Sequence, residues 1–366
     1  MTDDASAPSD AAAVTPAPGI HHVTAIVGPA QRALDFYAGG LGLRLVKRTV
    51  NFDDPGTWHF YFGDTAGAPG SIFTVFPWAL GPRGRIGTGQ VGVTAFAVPP
   101  ASLGWWLQRL VVRGVKHSGP HRRFPDADGV PTESYVSLED EDGLLLELVG
   151  DPRVEALAGW AGDDGSHDVP PEHAIRGLFG VQLWLDDAAP TAALLGETLG
   201  FRPGPVDGVT ARWLAPGDPA LGRVVDLRAV AGFWKGRDGA GAVHHVAFRA
   251  ADDAAEQAIR AAVMRRGLSA TPTLDREYFR SVYFREPGGV LFEIATDAPG
   301  FAVDEPPERL GHALMLPARY EARRAEIARA LAPVAWPPAT GDDAARASAF
   351  HALPPDHDAH PHEATP

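Results

Sequence analysis

Two short stretches hold the residues best suited to chemistry: GIHHVTAI, with His21 and His22, and GAVHHVAF, with His244 and His245. Each pair opens a run that reads as a strand and is followed by one that reads as a helix. A third candidate, Glu293, lies in GGVLFEIAT between Phe292 and Ile294. An ionised carboxylate in so apolar a strand needs a compensating cation. His22, His245 and Glu293 together offer two imidazoles and one carboxylate. That set suits Fe(II), Mn(II) or Zn(II) and leaves coordination positions open for a bidentate substrate and dioxygen. Side chains alternate along a strand, so neighbouring histidines are expected on opposite faces. The second of each pair is taken as the ligand, because Thr24 and Ala247 then share its face. His21 and His244 are expected at the strand mouth, bonding the ligands or handling protons.

Residues so far apart need a scaffold that brings them together, and the chain repeats itself in a way that could provide one. Four units recur, each a strand, a helix and then two or three strands. The first opens at GIHHVTAIV, has a helix over 29–42 and closes on LRLVKRTVNF, WHFYFGD and SIFTVFPW. The second opens at VGVTAFAV with a helix over 102–114. The third opens at GLFGVQLWL with a helix over 188–200, and the fourth at GAVHHVAFRA with a helix over 251–267. Matching first strands puts Gly92 and Gly180 of the middle units where His22 and His245 stand. Matching last strands lines up Thr74, Glu147, Asp226 and Glu293. Glu147 and Asp226 lack a partner histidine, which favours a salt-bridging role for both.

The boundaries follow from composition. Residues 1–17 and 337–366 read as tails too poor in apolar residues to fold, and the histidines at 351, 357, 360 and 362 there make no site. Residues 18–150 hold the first two units, the Gly-, Asp- and Pro-rich 151–174 link the halves, and 175–298 hold the last two. An extension over 299–336 contains one expected helix in ARYEARRAEIARAL. The net charge of −14 argues against nucleic acid as a partner. The absence of cysteine removes disulfides, thiolate sites and thiol nucleophiles, and with the lack of a secretory signal it leads us to expect a cytoplasmic protein. No apolar run is long enough to span a membrane. His59, in WHFYFGD, is expected in a pocket wall or the core, and Trp105 and Trp106 in the core.

Four βαβββ modules in two tandem pairs, carrying these histidines, resemble the vicinal oxygen chelate superfamily of glyoxalases, bleomycin-binding proteins and extradiol dioxygenases. The resemblance implies an α+β fold whose mixed sheets curl into open cups around a metal. A ligand set split between the first and fourth modules is similar to the hydroquinone-cleaving branch. So are GLGLRLVKRTVNFDDPGTWHFYFGD, SLGWWLQRL, PEHAIRG and DREYFRSVYFREPGGVLFE. That branch implies Fe(II), or alternatively Mn(II), a small dihydroxylated aromatic substrate and dioxygen. It also implies that His21, Thr24, His244, Arg276 and Tyr278 act beside the metal ligands. Two rivals share the scaffold. A glyoxalase-type lyase or isomerase would need a fourth ligand where Thr74 stands, and a non-catalytic binder would not need the triad. Exposed sheet edges in such a fold are often covered by a second copy, so a homo-oligomer is compatible with it.

Overall fold

The computed structural model describes residues 15–162 and 165–338. The first module supplies β1 (Ile20–Val27), α1 (Ala30–Ala33), β2 (Arg44–Val50), β3 (Trp58–Gly63) and β4 (Ile72–Pro77). The second supplies β5 (Gln90–Val98), α2 (Leu103–Val112), β6 (His117–Pro125), β7 (Pro131–Glu139) and β8 (Leu145–Gly150). The third supplies β9 (Gly177–Leu185), α3 (Ala189–Glu197), β10 (Arg202–Asp207), β11 (Thr210–Leu214) and β12 (Val224–Ala229). The fourth supplies β13 (Ala242–Ala250), α4 (Asp253–Arg265), β14 (Leu274–Asp275), β15 (Phe279–Arg285) and β16 (Leu291–Pro299).

These strands form two eight-stranded sheets, in the α+β arrangement expected of the vicinal oxygen chelate fold. Their orders are β14-β15-β16-β13-β1-β4-β3-β2 and β10-β11-β12-β9-β5-β8-β7-β6. Modules therefore share sheets across the two halves of the chain, first with fourth and second with third. The tandem order along the chain is not the order of the sheets. Within each module the first and last strands run parallel, while β1 meets β13, and β5 meets β9, antiparallel. The central strands are buried on both faces, so they read as near-continuous apolar runs. Phe73 on β4 and Phe96 on β5 meet edge-to-face at 5.6 Å and tie the sheets together.

The helices start and stop close to where the sequence places them. Asp252 caps α4, its side chain accepting from the Ala255 amide at 2.8 Å. The first helix is α-helical only over Ala30–Ala33 and widens to a π-helix over Leu34–Gly40, which carries the buried Tyr37 hydroxyl to Asp140 at 2.7 Å. Trp106 is fully buried, and Trp105 stacks on His173 at 4.7 Å.

The described residues of the 151–174 segment pack against the modules. Val154, Val169 and Ala174 are buried, and Arg109 and Arg113 both bond Asp168. The extension turns through Ala318–Arg323 into α5 (Arg324–Ala330) and buries Leu310, Leu316 and Ile327 against Val46, Val50 and Tyr61 of the first sheet. Lys47, fully buried, donates to Asp304 at 2.5 Å and Glu305 at 2.6 Å, which fixes the extension to β2. Most of both expected tails, and all four tail histidines, lie outside the described residues. Ala17, assigned to the first tail, is buried and its amide bonds Leu199.

Candidate metal centre

Strands β1 and β13 cross the middle of the first sheet, with His22 opposite Ala247 and Thr24 opposite His245. Glu293 on β16 lies beside Ala247. These registers bring the three expected ligands together. His22 Nε2 lies 3.2 Å from His245 Nε2 and 3.3 Å from Glu293 Oε2, and His245 Nε2 lies 2.9 Å from the same oxygen. All three side chains are buried. Among the described residues no other trio of His, Asp or Glu comes this close.

Each histidine pair sits on a β-bulge. Ile20 opposes Phe248 and His22 opposes Ala247, so His21 is an extra residue on β1. Thr24 opposes His245 and Ala25 opposes Val243, so His244 is an extra residue on β13. A bulge re-aims the side chain of its extra residue. Strict alternation, expected from the sequence, therefore fails at both pairs. The Nδ1 atoms of His21 and His22 are 2.9 Å apart, and those of His244 and His245 are 2.8 Å apart.

In each pair one Nδ1 donates and the other accepts. Where the ligand imidazole is the donor, its Nε2 turns a lone pair toward the other two ligand atoms. Burial holds His21 well below the ordinary imidazole range and lowers His245. Burial, with His245 alongside, takes His244 down to about 3. Neutral rings are the form that binds metal.

Glu293 shows the opposite balance. Burial pushes its carboxyl up, but the imidazoles of His22 and His245 outweigh burial and hold it well below the usual carboxylate range. Neither of its oxygens receives a well-directed hydrogen bond, despite the short separations. A buried carboxylate beside two imidazoles, with neither oxygen well hydrogen-bonded, is incomplete by itself, and one cation among the three side chains satisfies all of them. The residues present therefore fit a divalent metal. Thr74 stands where a fourth ligand would come from and is already bonded to Thr24 at 2.9 Å.

His22 and His245 open onto a cavity of about 330 Å³. Phe52, Phe76, Trp78, Leu274, Phe279 and Leu291 give it apolar walls, and Thr24, His59, His244, Arg276 and Tyr283 supply polar groups. His21 does not line it and touches the site through His22 and Phe279. Arg276 reaches Asp53 Oδ2 at 3.2 Å, across the mouth of the cup.

Tyr278 does not enter the cavity; Tyr283 does. The chain turns sharply at Glu277, where φ is +66°, and Phe279, Ser281 and Tyr283 then alternate onto the inner face of β15. Tyr278 instead donates to Asp304 at 3.0 Å and stacks on Phe301, anchoring the extension. The Tyr283 hydroxyl lies 3.3 Å from both Arg276 Nε and Ser281 Oγ, and Tyr283 opposes Glu293 in register. Burial and the nearby Glu293 carboxylate raise its pKa, so it stays protonated. Alternation counted from Phe279 was the signal that could have found it.

Residues 19–148 match the family model described as the glyoxalase/bleomycin resistance protein/dioxygenase superfamily. The chain belongs to that superfamily. Its relatives narrow the class. It is 45% identical to MhqO of Bacillus subtilis, named as a ring-cleaving dioxygenase, over 86% of this chain and 96% of that one. It is 33% identical to the chlorohydroquinone/hydroquinone 1,2-dioxygenase of Sphingobium indicum, over 86% of this chain and 95% of that one. A crystal structure of a Bacillus subtilis protein described as a dioxygenase superposes with a TM-score of 0.80 at 45% identity, covering 87% of this chain and 98% of that one. Maize glyoxalase I shares the fold alone, with a TM-score of 0.53 at 18% identity over 76% of this chain and 92% of that one. Dioxygenase relatives support an enzyme over a non-catalytic binder. No helix among the described residues is long and apolar enough to cross a membrane.

Proposed function

We propose that the chain is an Fe(II)-dependent dioxygenase that opens the ring of a hydroquinone or substituted hydroquinone. The observation that carries this reading is the buried, unbonded Glu293 carboxylate between His22 Nε2 and His245 Nε2, two histidines that line an aromatic-walled cavity. His22, His245 and Glu293 would hold Fe(II), which would supply Lewis acidity toward a ring oxygen and the one-electron chemistry that activates dioxygen. Both oxygen atoms end in the product, and one ring carbon–carbon bond beside a hydroxyl-bearing carbon is broken.

The chain's own groups do the rest. Phe76, Trp78, Phe279 and Leu291 hold the ring by its faces and keep water out. The Arg276 guanidinium, paired with Tyr283 and Asp53, puts positive charge where a phenolate oxygen needs it. The protonated Tyr283 hydroxyl and Thr24 are hydrogen-bond donors of the right reach, and His244 lines the cavity beside them. His21 and His244 hold the ligand imidazoles in the metal-binding tautomer.

Oxygen uptake tests the reading. The protein is loaded with Fe(II) without air and offered chlorohydroquinone, methylhydroquinone and catechol, with a Mn(II)-loaded control. One oxygen consumed per hydroquinone, with little on catechol and little in the control, is the expected result. Preference for catechol would move the substrate class, faster turnover with Mn(II) would move the metal, and no uptake on any ring would overturn the reading.

A further inference from the structure

His59 on β3, Thr74 on β4 and Thr24 on β1 form a hydrogen-bonded line along the cavity wall. Thr24 Oγ1 is 2.9 Å from Thr74 Oγ1, which is 2.8 Å from His59 Nε2. The two ends, His59 and Thr24, line the cavity, while Thr74 is fully buried. Among the described residues the side chains of Thr24 and His59 make no other hydrogen bond. In the second sheet Ala95 and Glu147 occupy the paired positions of Thr24 and Thr74, so the line exists only in the open cup.

A hydroxyl has one hydrogen to give, so such a line has a direction. Burial, reinforced by His22, His245 and Arg276, keeps the His59 ring neutral with a single N–H. If that hydrogen is on Nε2, His59 donates to Thr74 and Thr74 donates to Thr24. The hydrogen of Thr24 is then free for the cavity. If it is on Nδ1, every bond reverses and the cavity meets only lone pairs at Thr24. An ionised ring oxygen in the cavity is itself an acceptor. Only the first direction avoids setting acceptor against acceptor.

We propose that His59, acting through Thr74, is a positioning residue that holds the Thr24 hydroxyl as a hydrogen-bond donor to an anionic ring oxygen in the cavity. This rests on the aromatic-diol reading above and names the group that orients its substrate. His59 itself exchanges no atom with the ring.

Two measurements test it. Nitrogen-15 NMR of the metal-free protein, with the His59 signals assigned from a His59→Gln spectrum, reads the tautomer directly. Anaerobic titration of the Fe(II)-loaded protein with chlorohydroquinone reads binding. We expect His59 protonated on Nε2, binding weakened about tenfold in Thr74→Val, and binding restored to within about twofold in Thr74→Ser. The tautomer population should shift in the valine variant and not in the serine variant, which a merely structural role for Thr74 would not produce. His59 protonated on Nδ1, or full affinity in Thr74→Val, would overturn the proposal. If the unmutated protein binds no hydroquinone, the diol reading fails and the ligand named here falls with it. The tautomer then decides by itself whether the line points into the cavity.

Discussion

Strands β5 and β9 of the second sheet carry the same two bulges as β1 and β13 of the first, at Gly92 and Phe179. That register places Val93 and Gly180 where His22 and His245 stand, and it corrects the match of Gly92 to His22 by one residue. Asp226 takes the place of Glu293, and Glu147 that of Thr74. The deciding difference lies opposite the carboxylate. Tyr283 faces Glu293, but Arg212 faces Asp226. Arg212 holds Asp226 through two bonds of 2.8 Å and reaches Glu133 at 2.6 Å, while Arg123 pairs with Glu147 at 2.8 Å. The free space left there is about 10 Å³, against about 330 Å³ in the first cup. Gly180 has no room for a ligand either, since a Cβ there would meet the Val224 carbonyl at 2.3 Å. One backbone plan thus gives a cavity with an unneutralised carboxylate and a cup closed by arginines. Side chains at a handful of slots decide which.

Removing a ligand breaks the open cup most severely. If the proposed centre holds one metal per chain, His245→Ala should reduce bound metal to a small fraction and lower turnover at least about a thousandfold, with folding intact. Elemental analysis and oxygen uptake read the two effects, and full activity would sink the ligand assignment. Tyr283→Arg should come close to it by giving Glu293 the partner that Asp226 has. Metal occupancy should fall sharply while the thermal midpoint holds. A variant that binds metal normally would show that the residue opposite the carboxylate does not distinguish the cups.

The second cup answers to a different measurement. Arg212→Met leaves Asp226 and Glu133 buried without their main partner, which should cost about 3–5 kcal/mol of folding stability in urea titrations. Turnover per folded molecule should not change. Lost metal with unchanged stability would mean that the cups are coupled through chemistry rather than through packing.

Much of this division was legible in the residues. The repeated HHV, and Glu293 in an apolar strand, marked the triad because neither fits an ordinary buried strand. Glu147 and Asp226 were separable from Glu293 because no histidine matched them, and Arg123 and Arg212 now show what satisfies them. The bulges were not legible. An extra residue in one strand leaves no periodic trace, and without it His21 and His244 fall on the wrong face. Nor was the pairing of the first module with the fourth, because local periodicity makes a strand but does not choose its distant neighbour. Tyr278 was mistaken for Tyr283 because the turn at Glu277 resets the alternation within two residues.

The smallest expected effect tests how the two sheets are joined. Asp140, in the turn between β7 and β8, accepts from the Leu144 and Asp142 amides and from the Tyr37 hydroxyl of the first module. Burial raises its carboxyl to about 6, from 3.8. The folded chain therefore keeps this proton over a range where the unfolded chain has lost it. Asp140 then lowers stability as pH rises from about 4 to about 6, by at most one proton's slope, ~1.4 kcal/mol per pH unit. Asp140→Asn cannot titrate, so its stability, followed by urea midpoints across that window, should fall less than that of the unmutated chain. Above pH 6 the difference between the two should stop changing. Parallel curves throughout would mean that the Tyr37 bond and the two amides stabilise the charged form enough to cancel burial. The seam between the sheets would then be held by an ionised carboxylate.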